Sequence, residues 1–134
     1  MPELPYLFVY GTLRSAAASE WSKFLAASSS FAGAGRARGA LFQLHGGYPG
    51  MTVRASDHEW VTGDVFLLHN PDAALPSLDA YEGCAPGHAP PHEFERQVVS
   101  VELHGGPTIQ AWAYVYAFDT RSLARIASGD YFRP

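Results

Sequence analysis

The stretch from Phe94 to Phe118, FERQVVSVEL-HGGPT-IQAWAYVYAF, decides how this chain folds. Phe94–Leu103 and Ile109–Phe118 each mix apolar and polar residues in near alternation. That is the period of a strand with one face buried. His104-Gly105-Gly106-Pro107 between them is turn chemistry, so the two runs are expected to form an antiparallel hairpin. A second decisive run lies near the start: Tyr6-Leu7-Phe8-Val9-Tyr10 is apolar on both sides and predicts a strand covered on both faces, ending at Gly11-Thr12.

Working outward, residues 16–27 read as a helix. Ala17, Trp21, Phe24 and Leu25 share one face, Ser15 is the candidate N-cap, and Ser28-Ser29-Ser30 ends it. Ala40–Leu44 reads as a strand stopped by His45-Gly46-Gly47. Tyr48-Pro49-Gly50 reads as a turn, and Glu59–His69 as a further strand with Gly63 as a bulge. Asn70-Pro71-Asp72 announces a second helix, with a cap, a proline at the first helical position and an acid in the first turn. Pro76 is expected to break or restart it. The restarted piece stops at Gly83, a left-handed C-cap, with Leu75, Leu78 and Tyr81 on the buried face. Residues 84–93, with three prolines, read as an irregular loop, and Ser122–Gly129 as at most a short helix. Five or six short strands with two helices predict an α+β domain, its sheet strongly curled and largely antiparallel.

The chain has 134 residues, and 47% of them are hydrophobic, enough for one core and too little length for two. No apolar run approaches the ~20 residues of a membrane helix. The N-terminal MPELPYLFVYG has neither a basic region nor a long apolar stretch, so no secretory signal is expected. The one cysteine, Cys84, excludes an internal disulfide and fits a reducing cytoplasm. The net charge of −4, with no basic cluster beyond Arg36 and Arg38, argues against nucleic acid as partner.

Four constellations are candidates for chemistry. Tyr10-Gly11-Thr12-Leu13-Arg14 is a glycine turn directly after a buried strand, where several N–H groups can form an oxyanion nest; a plain strand exit is the alternative. Glu82 ends the second helix, where the dipole is negative, with apolar neighbours. Both disfavour the ionised form and suit a general base near neutral pH, against the alternative of a solvated surface glutamate. Asp79 is expected at the surface or in a cap. Cys84 with His88 and His92 could be imagined as a thiol nucleophile or a metal site, but Pro86, Pro90 and Pro91 break the spacing; no metal is expected. Gly33-Ala34-Gly35-Arg36-Ala37-Arg38-Gly39 lacks the dinucleotide spacing and reads as a glycine-rich strand entry.

Phe8-Val9-Tyr10-Gly11-Thr12-Leu13-Arg14 followed by Leu78-Asp79-Ala80-Tyr81-Glu82-Gly83 resembles the gamma-glutamylcyclotransferase-like family, in its short bacterial branch and its gamma-glutamylamine cyclotransferases. Gly39–Phe42, Tyr48–Gly50, Val61–Phe66, Phe94–Arg96 and Ser128–Tyr131 resemble further family elements in the same order. The resemblance implies a small barrel-like sheet flanked by helices. It implies a cofactor-independent reaction in which the α-amine of a γ-glutamyl group attacks its own γ-carbonyl, releasing 5-oxoproline and an amine or peptide. It also implies Glu82 as the catalytic glutamate and Tyr10, Gly11, Thr12 and Leu13 as the substrate-binding loop. The chain departs from the family in the alanine-rich Ser15–Ser19, the proline-rich Cys84–Glu93, and Phe94, where a tyrosine is frequent. A metabolite-binding module on the same fold is the rival reading; a cysteine amidase using Cys84 is a weaker one.

Overall fold

The computed structural model describes residues 4–11, 20–53 and 59–132. Its elements are β1 (Tyr6–Val9), α1 (Glu20–Ser28), β2 (Ser29–Gln43), β3 (Pro49–Val53), β4 (Trp60–Leu68), α2 (Pro71–Glu82), β5 (Phe94–Leu103), β6 (Thr108–Tyr116) and β7 (Ala124–Arg125). Strand order is β3-β2-β4-β1-β6-β5, and an additional β2–β5 pairing joins the ends. Strands β2, β4, β1, β6 and β5 therefore close into a five-stranded barrel. Every pairing is antiparallel except β1–β6, where Leu7 lies opposite Trp112 in parallel.

Closure depends on β2. Its 15 residues are too many for one neighbour. Ser29–Arg38 pair with β4, Gly35–Ala37 also pair with β5 on the other edge, and Gly39–Gln43 run on to β3. The glycine-rich segment read as a strand entry is thus the strand's middle. At Gly35 an added Cβ would lie 2.8 Å from the Val101 side chain, so the absent side chain lets β5 approach.

The two faces of β1 enter two cores. Leu7 and Val9 pack with Leu25 of α1 and with Leu75 and Leu78 of α2. Phe8 and Tyr10 fill the barrel interior with Val61, Val65, Val101, Ala111 and Ala113. This is why the strand is apolar on both sides.

Several expectations need correction. Gly63 is not a bulge. It pairs in register with Gly35, and the irregularity falls in β2 between Phe31 and Gly33. Gly63 is needed because a Cβ there would stand 2.2 Å from the Val9 carbonyl oxygen. The turn is His45–Gly47, closed by Leu44 and Tyr48, and Pro49-Gly50 already belong to β3. Helix α2 runs through Pro76 without a break. The ring is exposed, and the carbonyl that loses its partner belongs to exposed Asp72. Asn70 caps with its backbone, accepting from Ala73 and Ala74, not with its side chain. Residues 122–129 hold a two-residue strand on β2, not a helix. Ser15 and the first turn of the helix read at 16–27 lie outside the described residues; from Glu20 that helix is present and ends at Ser28, where β2 begins without a connection.

Candidate active site

Helix α2 delivers Glu82 to the mouth of the barrel. Leu75 and Leu78, one turn apart and fully buried, seat the helix on β1. Glu82 comes four residues after Leu78 on the same face. Gly83 then stops the helix in the left-handed conformation (φ 76°, ψ 23°). Its N–H donates to the Ala80 carbonyl and that of Cys84 to the Asp79 carbonyl, the bonds of a Schellman cap. Glycine has the freedom to take this φ, so the helix ends just after its acid. Tyr81 does not share the buried face: it is 37% exposed.

Glu82 lines a cavity of about 300 Å³, at the small end for ligand sites. Phe8, Val9, Tyr10 and Gly11 from β1 and its exit form one wall. Tyr48, Pro49, Glu93, Phe94 and Tyr114 complete it, with Tyr81 beside Glu82. Burial pushes the Glu82 carboxyl up from 4.5 to about 7, and the negative charge of Glu93 adds to this. Among the described residues no hydrogen bond or ion pair reaches the Glu82 carboxylate. Among the described residues it is an uncommitted acid, raised to about 7 and facing a cavity.

Tyr10 and Gly11 line the same cavity as Glu82; Thr12 and Leu13 lie outside the described residues. The Tyr10 hydroxyl is already engaged. It donates to the Tyr114 carbonyl at 2.6 Å and accepts from the Met51 N–H at 3.2 Å, tying β1 to β6 and β3. Burial raises its pKa well beyond the ordinary tyrosine value, so it offers a ring wall and not an acid. Gly11 abuts β3 closely: a Cβ there would lie 2.6 Å from Pro49 Cγ.

Asp79 is neither surface nor cap. It receives two hydrogen bonds from the Arg96 guanidinium, at 2.8 and 3.2 Å, and one from the Tyr114 hydroxyl at 2.7 Å. The guanidinium also stacks on Trp112, 4.3 Å from the ring centre. This cluster locks α2 to β5 and β6 and thereby fixes where Glu82 points. Its acid is occupied, whereas that of Glu82 is open.

Cys84, His88 and His92 do not converge. His92 Nε2 bonds the His88 carbonyl at 2.9 Å, and Cys84 is not among the residues lining the cavity. Burial, with Asp79 and Glu82 nearby, pushes the thiol up to about 11, opposite to what a thiolate nucleophile needs. Among the described residues no three His, Cys, Asp or Glu side chains group as metal ligands.

Sequence reasoning missed Tyr48, Glu93 and Tyr114 as cavity residues. Tyr48 immediately precedes β3, Glu93 immediately precedes β5 and Tyr114 lies in β6, and only barrel closure brings them together. The hydrophobic alternation of β6 could have flagged the Tyr114 side, but nothing local marks Glu93.

The family model for gamma-glutamyl cyclotransferase, AIG2-like, matches residues 7–133. The chain belongs to that family. Among solved structures, YkqA from Bacillus subtilis is 28% identical with a TM-score of 0.68; the match takes in 94% of this chain but only 39% of that one, about two-fifths of its length. An AIG2-like protein from Mus musculus is 22% identical, TM-score 0.71, with 95% and 87% of the two chains covered. A gamma-glutamyl cyclotransferase is 20% identical, TM-score 0.61, covering 90% and 68%. These last two share the fold. No curated protein matches. The mixed five-stranded barrel with few helices is the fold of this cyclotransferase family. No helix among the described residues is long and apolar enough to cross a membrane.

Proposed function

We propose that this family member is a γ-glutamyl cyclotransferase in which the substrate's own α-amine is the nucleophile. The observation that carries the reading is Glu82: a carboxyl without a partner among the described residues, raised to about 7 by burial, on the same cavity as Gly11.

An α-amine is mostly protonated near neutral pH and must lose a proton before it attacks. Glu82 takes that proton, with a pKa matched to the working pH. The nitrogen adds to the γ-carbonyl carbon, and the oxyanion is received by backbone N–H groups of the segment Gly11-Thr12-Leu13, the substrate-binding stretch that the family resemblance implies. Glu82 returns the proton to the leaving nitrogen. The C–N bond to the leaving group breaks, and 5-oxoproline departs with the free amine or peptide. Atoms balance without water: of the two protons the attacking nitrogen loses, one travels through Glu82 to the leaving nitrogen and the other is lost as the ring amide forms and is taken up by the released amine, so neither an activated water nor a thiol is required. Folding the substrate into attack geometry can supply about 7–11 kcal/mol.

Turnover of γ-glutamyl amides in ¹⁸O-water tests this. The expected product is 5-oxoproline free of solvent oxygen, and a substrate acetylated on its α-amine is expected to be inert. Linear glutamate carrying one ¹⁸O, or brisk cleavage of the acetylated substrate, would overturn the mechanism. Glu82→Gln is expected to lower turnover at least ~100-fold, the low end for loss of a general base.

A further inference from the structure

An aromatic surface leads from the cavity to solvent, and strand register lays it out. Tyr114, Tyr116 and Phe118 follow one another at a spacing of two, the period that keeps side chains on one face of a strand. Tyr114 lines the cavity, Tyr116 is half-buried at the end of β6, and Phe118, just beyond it, is 41% exposed. Phe94 of β5 is the register partner of Tyr116, and Tyr48 meets Phe94 from just before β3. Tyr48–Phe94, Phe94–Tyr116 and Tyr116–Phe118 have ring centroids 6.1, 5.7 and 5.9 Å apart. The planes meet at 43°, 69° and 70°, tilted or edge to face as aromatic pairs prefer.

The outer end of this row is held in place. The Ala117 N–H donates to the Glu93 carbonyl at 2.8 Å, which keeps the chain after β6 beside the start of β5. Directly after Phe118 the chain turns: the Arg121 N–H donates to Asp119 Oδ1 at 2.9 Å and the Leu123 N–H to the Thr120 carbonyl at 3.0 Å. A lone exposed apolar ring needs no explanation. Phe118 is different, because it is the outermost ring of a stack whose inner rings, Tyr48 and Phe94, are walls of the cavity.

The cavity itself, about 300 Å³, is at the small end for a ligand site, so a substrate larger than its reacting end has to extend along the wall. Resting on the cyclotransferase reading above, we infer that the γ-glutamyl end sits at Glu82 and Gly11 while the leaving amine runs out along Tyr48, Phe94 and Tyr116 to Phe118, which selects γ-glutamyl amides whose leaving amine carries an aromatic ring. A ring placed there continues the row, losing its apolar surface from water and gaining one more edge-to-face contact.

The γ-glutamyl amides of ethylamine, 2-cyclohexylethylamine and 2-phenylethylamine test this. For the wild-type protein kcat/KM is expected to be at least ~10-fold higher for the phenyl than for the ethyl amide, from burial of the ring. It is expected to be at least ~2-fold higher for the phenyl than for the cyclohexyl amide, although cyclohexyl is the more hydrophobic ring, because only the aromatic one gains the edge-to-face contact. In Phe118→Ala, whose fold is checked by circular dichroism, the phenyl-to-ethyl ratio is expected to fall at least ~3-fold, and Phe118→Tyr is expected to restore it. A wild-type phenyl-to-ethyl ratio below about 3, a cyclohexyl amide turned over as well as the phenyl one, or a ratio that Phe118→Ala leaves in place overturns the inference. If the wild type converts none of the three to 5-oxoproline, the cyclotransferase reading has failed on its own. The amides are then ranked by calorimetric binding: the same order, lost in Phe118→Ala, supports the aromatic path, and equal binding overturns it.

Discussion

Replacing Glu82 by Gln is expected to stabilise the protein while it disables it. The sign follows from the raised pKa. In the unfolded chain the carboxyl ionises near 4.5, and in the folded protein near 7. Between those values the folded state holds a proton that the unfolded state has released, so stability falls as pH rises through this window. The shift is about 2.5 units, and at 1.36 kcal/mol per unit it corresponds to about 3 kcal/mol at full strength. The carboxylate is partly wetted, so about 2 kcal/mol is the working expectation. Below pH 4.5 the term vanishes, and above 7 it is complete. Gln keeps the shape and never ionises. Urea unfolding of both proteins at pH 4.5, 6 and 8 reads the difference directly from the midpoints at constant slope. The variant is expected to gain on the wild type steadily from pH 4.5 to 8. A gap that does not change with pH refutes the argument, because it would mean that Glu82 is ionised without cost and its environment is not what raises it. The activity of the wild type is expected to follow the same titration, rising with pH to a plateau above about 7.

Asp79→Asn should behave differently from the Glu82 variant. It breaks a half-buried pair with Arg96 and weakens the Tyr114 bond, so a loss of about 2 kcal/mol is expected in denaturant titrations, with a smaller fall in turnover than for Glu82→Gln. An inactive but fully stable Asp79→Asn protein would assign the proton transfer to the wrong acid. Gly63→Ala places a methyl 2.2 Å from the Val9 carbonyl oxygen and 2.8 Å from the Phe8 ring; a fall of at least about 2 kcal/mol is expected, and a thermal midpoint unchanged from wild type would contradict the close approach. Cys84→Ala and treatment with a strong chelator are each expected to leave turnover largely intact, since the thiol is pushed up to about 11 and is not among the residues lining the cavity. Loss of activity with the fold retained, followed by circular dichroism, would revive the thiol or metal reading.

What the sequence determined by itself was local. The alternation of residues 94–118 carries the hairpin, and the two-sided apolarity of Tyr6–Tyr10 carries a strand buried on both faces; both follow from the two-residue period of the pleat. Gly83 as a left-handed stop and Glu82 as an acid in a desolvating place are also legible, because helix ends are written in neighbouring residues. The helix through Pro76 was misread because whether a proline breaks a helix depends on whether the orphaned carbonyl meets solvent, which is a property of burial. Gly63 was misread for a related reason: glycine marks a close approach, but the backbone that approaches is β1, more than fifty residues away. Asp79 and Glu82 are three residues apart and look alike in sequence. Only the packing of α2 against β5 and β6 gives one of them Arg96 and Tyr114 and leaves the other without a partner among the described residues. Glu93 stands at the far end of that range, with nothing local to mark it. Its meeting with Tyr48 across 45 residues exists only because the barrel closes, and side chains converge on a cavity through long-range strand pairing that no short window of sequence records.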